Sequence, residues 1–215
     1  MLHDLLRIWF HWVEAWGYAG VFILMAMESS IIPVPSELVI PPAAFWAAQG
    51  QMSFAGVILA GTAGSYFGSI VNYGLSLWLG RPVVERYGKY IFLPHEKIQL
   101  AERWLKDFGT FGVFLARLLP VVRHLISIPA GLLRMPFSPF SFATVLGAGL
   151  WCAILAWFGQ EVIGVHPEVV QSPEAMMVLI KSEMHWIVLA CVGLAVLYGG
   201  VIFFQRKKVR VEISS

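Results

Sequence analysis

The stretch ARLLPVVRH, residues 116–124, places Arg117, Arg123 and His124 among residues as apolar as a lipid chain. Upstream, MESSIIPVPSELVI, residues 27–40, sets Glu28 and Glu37 in similarly apolar company. A charge at the centre of a bilayer costs about 2.5–3.5 kcal/mol, so two arginines and two carboxylates cost on the order of 10 kcal/mol unless they pair or face water. Paired guanidinium forks are suited to binding a phosphate, each able to offer two parallel N–H donors. A nearby carboxylate fills the forks without the phosphate, or takes a proton when the phosphate arrives. Arg117, Arg123 and His124 are therefore candidate phosphate ligands, with Glu28 and Glu37 the candidate proton-exchanging groups. Plainer alternatives stay open: a structural Arg117–Glu28 ion pair, a snorkelling Arg123, a helix-capping Glu37 and an interfacial His124.

These residues demand broken helices. On an unbroken helix Arg117 and Arg123 point about 120° apart. Pro120 lies between them and removes a backbone donor, so a break there lets both converge on one cavity. Pro33 and Pro35 break the glutamate-bearing region, and Pro129 and Gly131 offer further breaks in the second.

The surrounding elements are those of a membrane protein. Of 215 residues, 58% are hydrophobic and 13% charged, against roughly 25% charged in a soluble domain. Three segments, about 53–80, 140–160 and 185–204, are long enough to cross the roughly 30 Å hydrocarbon layer. Basic residues follow the first and last of these, whereas the 161–183 connection is acidic, which sets the C-terminus in the cytoplasm. The regions about 17–49 and 109–135 must then enter and return on the same side. The arms of the first, as helices, reach only about 24 Å and about 17 Å. The reading is two re-entrant hairpins entering from opposite faces.

An internal repeat accompanies this. GYAGVF (17–22) recurs as GTFGVF (109–114), and SFAGVILAG (53–61) as SFATVLGAG (141–149), each hairpin followed by one span. The fold class expected is an all-α polytopic membrane protein with an inverted-topology repeat. Residues 1–204 form one integral membrane domain, and 205–215 a basic cytoplasmic tail. An interfacial amphipathic helix opens the chain, and LPHEKIQLAERWLKDFG forms a cytoplasmic amphipathic helix between the halves. In transporters such repeats place the site near the bilayer midplane.

Other chemistries lack their residues. A net charge of +2 excludes nucleic acid as a partner, HEKIQ lacks the second histidine of a zinc helix, and GTAGSYFGS reads as small-residue helix packing. Cys152 and Cys191 read as packing residues, with no metal site and no cofactor expected.

GVFLARLLPVVRHLISIPAGLLRMPFSPF, with MESSIIPVPSELVI upstream, resembles the DedA family of bacterial membrane proteins, also called the SNARE-associated or VTT-domain family. The resemblance covers about residues 17–160. It implies opposed re-entrant hairpins and movement of lipids between leaflets of the bacterial inner membrane, often driven by the proton gradient. It also implies functional roles for Glu28 and Glu37 and for Arg117 and Arg123. Many relatives carry PGE or PGD where this chain has Pro35, Ser36 and Glu37, which alters the placement of Glu37. The expected function is proton-coupled translocation of undecaprenyl phosphate. Phosphatidylethanolamine or general phospholipid translocation and proton-coupled small-ion transport are the alternatives, and an intramembrane phosphatase stands further off. A lipid headgroup and protons are the expected partners, and a homo-oligomer is an open one.

Overall fold

In the computed structural model, the described residues are 2–30, 35–87, 95–119, 122–123, 125–163 and 193. Their regular structure is entirely helical. The elements are α1 (Leu2–Trp16), α2 (Tyr18–Glu28), a short 3₁₀ turn (Ser36–Leu38), α3 (Ile40–Ala48), α4 (Phe54–Tyr87), α5 (His95–Arg117), α6 (Ser127–Leu132) and α7 (Phe137–Phe158). A π turn (Gly159–Ile163) closes the series.

Among the described residues, two helices are long and apolar enough to cross a membrane: α4 over Phe54–Gly80, and α7 with its π turn over Phe137–Glu161. Gly80, at φ 72°, interrupts α4 where the first expected span ends. Exposed Phe67 and Trp78 on α4, and Phe142 and Trp157 on α7, present apolar surface suited to acyl chains. The expected 185–204 span, most of the acidic connection and the basic tail lie outside the described residues.

The remaining helices are short, and two local plans recur among them. Gly17 (φ 53°, ψ −125°) separates amphipathic α1 from α2, and Gly109 (φ 55°, ψ −134°) separates the amphipathic start of α5 from its apolar end. Glycine enters this left-handed region without the Cβ penalty. An aromatic pair precedes each: Trp12 stacks on Trp16, and Trp104 packs on Phe108. The return arms also end alike. Gly50 and Arg134, both at positive φ, close α3 and α6 with Gln51 N–H donating to the Trp46 carbonyl and Met135 N–H to that of Ala130. This is the Schellman arrangement, which satisfies carbonyls that a helix end would strand.

Prolines sit where their missing N–H costs nothing. Pro41 and Pro42 occupy the first turn of α3, and Pro129 lies in the first turn of α6. Pro129 and Gly131, expected as breaks, thus lie inside a helix. Gly131 allows close packing instead, since a Cβ there would fall on the Tyr73 carbonyl of α4. Pro35 precedes the 3₁₀ turn; Pro33 and Pro120 lie outside the described residues.

Helix α4 organises the bundle. Gly64 and Gly68, four apart, bring the α2 backbone close enough that Cβ atoms would strike the Phe22 and Ala26 carbonyls. Farther along, Asn72 donates from Nδ2 to the Ser29 and Ser30 carbonyls at 3.0 and 2.9 Å. The contacts 22/64, 26/68 and 30/72 advance together, so α2 runs in the direction of α4. Thr62 beside Gly149 and Tyr73 stacked on Phe140 show that α7 runs antiparallel to α4. The Tyr73 hydroxyl donates to the Met135 carbonyl at 2.5 Å. Neighbouring residues of α4 thus satisfy backbone groups freed at the end of α2 and at the end of α6.

Replacing Asn72 with leucine keeps apolar bulk but strands two carbonyls, each costing about 1–3 kcal/mol when buried without a partner. The expected outcome is a clearly lowered thermal unfolding midpoint in detergent, with Asn72→Gln less damaging than Asn72→Leu.

Candidate functional site

The buried apolar residues form two larger clusters that each draw on both halves. One contains Leu24, Met25, Ile40 and Trp151, the other Tyr73, Val113, Ala116, Ile126 and Phe140. Charged groups are buried in the same bundle. Arg123, beyond the end of α5, forms an ion pair with Glu28 at the end of α2, both side chains almost wholly buried. Arg123 Nη2 also donates to Ser36 Oγ at 2.5 Å. Trp151 Nε1, on α7, donates to the same oxygen at 3.3 Å, and its ring lies 5.3 Å from Arg123 Cζ in a cation–π contact. A serine oxygen has two lone pairs, and here two donors from the second half share them.

Arg117 has a different environment. Its stem runs along α7, where a Cβ on Gly147 would meet its Cβ and Cγ. Its Nη2 donates to Ser127 Oγ, at the start of α6, at 2.7 Å. The side chain is 2% exposed, and its Nε has no hydrogen-bond partner. Among the described residues it pairs with no carboxylate. The two arginines therefore take separate partners, in contrast to the shared cavity expected from the sequence: the ion pair joins Arg123 to Glu28, whereas Arg117 reaches only the serine ten residues on.

Glu37 lies partly buried in the 3₁₀ turn, its carboxyl interacting with the Ser36 hydroxyl and its own backbone N–H. It forms no ion pair with either arginine. His124 lies outside the described residues. Three further buried oxygens, Glu28 Oε2, Ser141 Oγ and Thr144 Oγ1, are without partners. No trio of His, Cys, Asp or Glu among the described residues could hold a metal ion.

A cavity of about 480 Å³ opens on another side of the second half, between the amphipathic part of α5 and the segment after it. Leu100, Trp104, Phe108, Leu119, Val122 and Ile126 line it, with Arg103 and Asp107 the charged groups. Neither Arg117 nor Arg123 reaches it.

Ser36, Ser127 and Trp151 were not singled out as ligands in the sequence. A tryptophan in an apolar span looks like core, and only the rarity of hydroxyls beside the breaks marked the two serines.

The VTT domain family matches residues 34–161, which hold Ser36, Glu37, Arg117, Arg123, Ser127 and Trp151 but begin after Glu28. The chain is 38% identical over 150 residues to undecaprenyl phosphate transporter A of Bacillus subtilis strain 168, covering 70% of this chain and 74% of that protein. It is 30% identical over 143 residues to the protein of the same name from Staphylococcus aureus strain NCTC 8325, covering 65% and 70%. An alkaline phosphatase-like protein of Lactococcus lactis subsp. cremoris is 29% identical over 200 residues, 91% of this chain and 90% of that one. No solved structure matches.

Removing one partner of a buried ion pair strands the other charge, at a cost of about 3–5 kcal/mol. Glu28→Ala should therefore lower the unfolding midpoint far more than the double variant Glu28→Gln/Arg123→Gln, in which no unpaired charge remains. A double-mutant cycle in detergent measures the difference.

Proposed function

The chain belongs to the VTT-domain, or DedA, family, and from that premise we propose that it is a membrane transporter moving a lipid phosphate, undecaprenyl phosphate, between the leaflets of the bacterial inner membrane. The observation carrying this reading is Arg117, a guanidinium buried in an apolar bundle with a neutral serine as its partner. Such a charge is tolerated where it serves an anion. Lipid phosphates are the abundant anions able to reach it from within a bilayer. The relatives named undecaprenyl phosphate transporter A support the same substrate.

In this reading phosphate binds first at Arg117 and then competes with Glu28 for Arg123. Glu28, displaced from its ion pair, takes a proton, since a free carboxylate in an apolar site is disfavoured. Its second oxygen, already unpaired, favours this exchange. Phosphate entry is thereby linked to proton uptake. Glu37, touching Ser36, is proposed as the second exchanging carboxylate, and His124, next to Arg123, as a further phosphate ligand. Ser36 and Trp151 hold Arg123 while Glu28 lets go.

The short arms α2, α3, the end of α5 and α6 are proposed as two re-entrant hairpins that gate alternately. Their opposed entry is supported by the antiparallel course of α4 and α7, and the repeat by the matched glycines at 17 and 109. The C-terminus is assigned to the cytoplasm on the basic tail. The lipid tail stays in the bilayer while the headgroup crosses.

One observation favours a second reading. Glu28 Oε2 is an unused acceptor that an ammonium could fill, so phosphatidylethanolamine is the competing cargo. Glu28→Gln would then lose phosphatidylethanolamine transfer while keeping that of undecaprenyl phosphate.

The deciding experiment is transfer of labelled undecaprenyl phosphate in proteoliposomes with and without an imposed pH gradient. Wild type is expected to give gradient-sensitive transfer. Arg117→Ala and Arg123→Ala, verified as folded, are expected to lose it at least thirtyfold, corresponding to about 2 kcal/mol or more of lost charged contact. Equal transfer by all three proteins would reduce the arginines to structure.

A further inference from the structure

Thr144 stands in the second turn of α7, fully buried, with an unpaired hydroxyl. Helical serines and threonines commonly return the hydroxyl proton to a carbonyl four residues earlier. On α4 this chain follows that habit: Thr62 donates to the Ile58 carbonyl, Ser69 to that of Ser65 and Ser76 to that of Asn72. Thr144 does not, and neither does Ser141 a turn earlier on α7, though an idle buried hydroxyl is disfavoured.

What sets Thr144 apart from Ser141 is its full burial and its neighbour. Gly147, three residues on and thus on the same helix face, lies against the Arg117 stem. Thr144 therefore stands about one helical turn before the point where the stem of Arg117 crosses α7. Arg117 Nε also lacks a partner. Ser127 Oγ accepts from Arg117 Nη2, which leaves its own proton available to donate. Three donors without acceptors thus belong to this part of the second half: Arg117 Nε–H, Ser127 Oγ–H and Thr144 Oγ1–H.

We propose that Arg117, Ser127 and Thr144 form a subsite for the three non-bridging oxygens of a phosphate monoester, with Thr144 the residue that selects monoester over diester. The proposal rests on the lipid-phosphate reading of Arg117 and refines it. A diester presents only two non-bridging oxygens and leaves one donor unmatched, and sites built to hydrogen-bond a group reject ligands lacking it. Among membrane lipids this separates undecaprenyl phosphate and phosphatidic acid from phosphatidylethanolamine and phosphatidylglycerol. Inorganic phosphate carries the same three-oxygen face.

The test is binding to the full chain in nanodiscs, for wild type, Thr144→Val, Thr144→Ser and Arg117→Ala. The probes are undecaprenyl phosphate, phosphatidic acid, phosphatidylglycerol and inorganic phosphate. Wild type should bind the two monoester lipids at least tenfold more tightly than phosphatidylglycerol. Thr144→Val, nearly isosteric, should keep the unfolding midpoint because it loses no internal hydrogen bond. It should weaken monoester binding by about tenfold to a hundredfold, the range for a hydrogen bond to a charged group, and leave diester binding unchanged. Thr144→Ser should restore monoester binding to within about threefold. If Thr144→Val does not fold, Thr144→Ala serves in the same comparison.

Monoester binding unchanged in Thr144→Val but lost in Arg117→Ala overturns the subsite and leaves the lipid-phosphate reading standing. Inorganic phosphate that binds as tightly as the lipids, and depends equally on Thr144, supports the subsite but overturns its assignment to lipid. Wild-type protein that binds none of the four probes overturns both.

Discussion

The ion pair between Glu28 and Arg123 is the constraint around which the rest is arranged. Each charge alone would cost about 2.5–3.5 kcal/mol near the middle of a bilayer, so neither half can bury its own without the other. The pair therefore ties α2 of the first half to the segment following α5 of the second. Ser36 and Trp151 reinforce this from the first half's return arm and from α7. Four separate parts of the chain meet at one guanidinium. A contact of this kind specifies which elements are neighbours, whatever its net contribution to stability.

Bringing two helix ends to that point requires breaking them, and a broken helix in an apolar medium strands backbone groups. The answer lies on α4. Asn72 takes the carbonyls freed after α2, and Tyr73, the next residue, takes one after α6. The GxxxG pair Gly64 and Gly68 brings α2 within reach of Asn72. Polar satisfaction and close packing are here one arrangement, because the amide can serve both carbonyls only if the helices touch.

Much of this architecture could be read from the sequence, because it rests on local chemistry. The two spans among the described residues followed from length and hydropathy, and α4 is interrupted at Gly80 where the apolar run gives way to Arg81. The matched GYAGVF and GTFGVF motifs share the positive-φ glycine that makes the motif useful. What escaped depends on contacts between distant segments. Ser36 meets Arg123 across 87 residues, and Trp151 meets Ser36 across 115, distances over which no periodicity operates. Pro129 and Gly131 were misread because both residue types end helices and also begin or pack them, and only the neighbouring α4 backbone decides between those roles.

The two arginines, alike in sequence, are unlike in their electrostatics, and the difference bears on transport. A carboxylate beside Arg117 would neutralise it at all times and compete with any anionic cargo. Ser127 is neutral, so it orients the guanidinium while leaving its charge uncompensated. Arg123 is thus compensated by Glu28, whereas Arg117 has no carboxylate partner among the described residues. A phosphate monoester can carry a second negative charge, because its second pKa is near 6. On the proposed reading that charge would be met by Arg123, which Glu28 holds in an ion pair. A carboxylate released into apolar surroundings is most cheaply held as the acid. On the proposed lipid-phosphate reading, proton coupling would follow from Glu28 facing only one of the two guanidiniums.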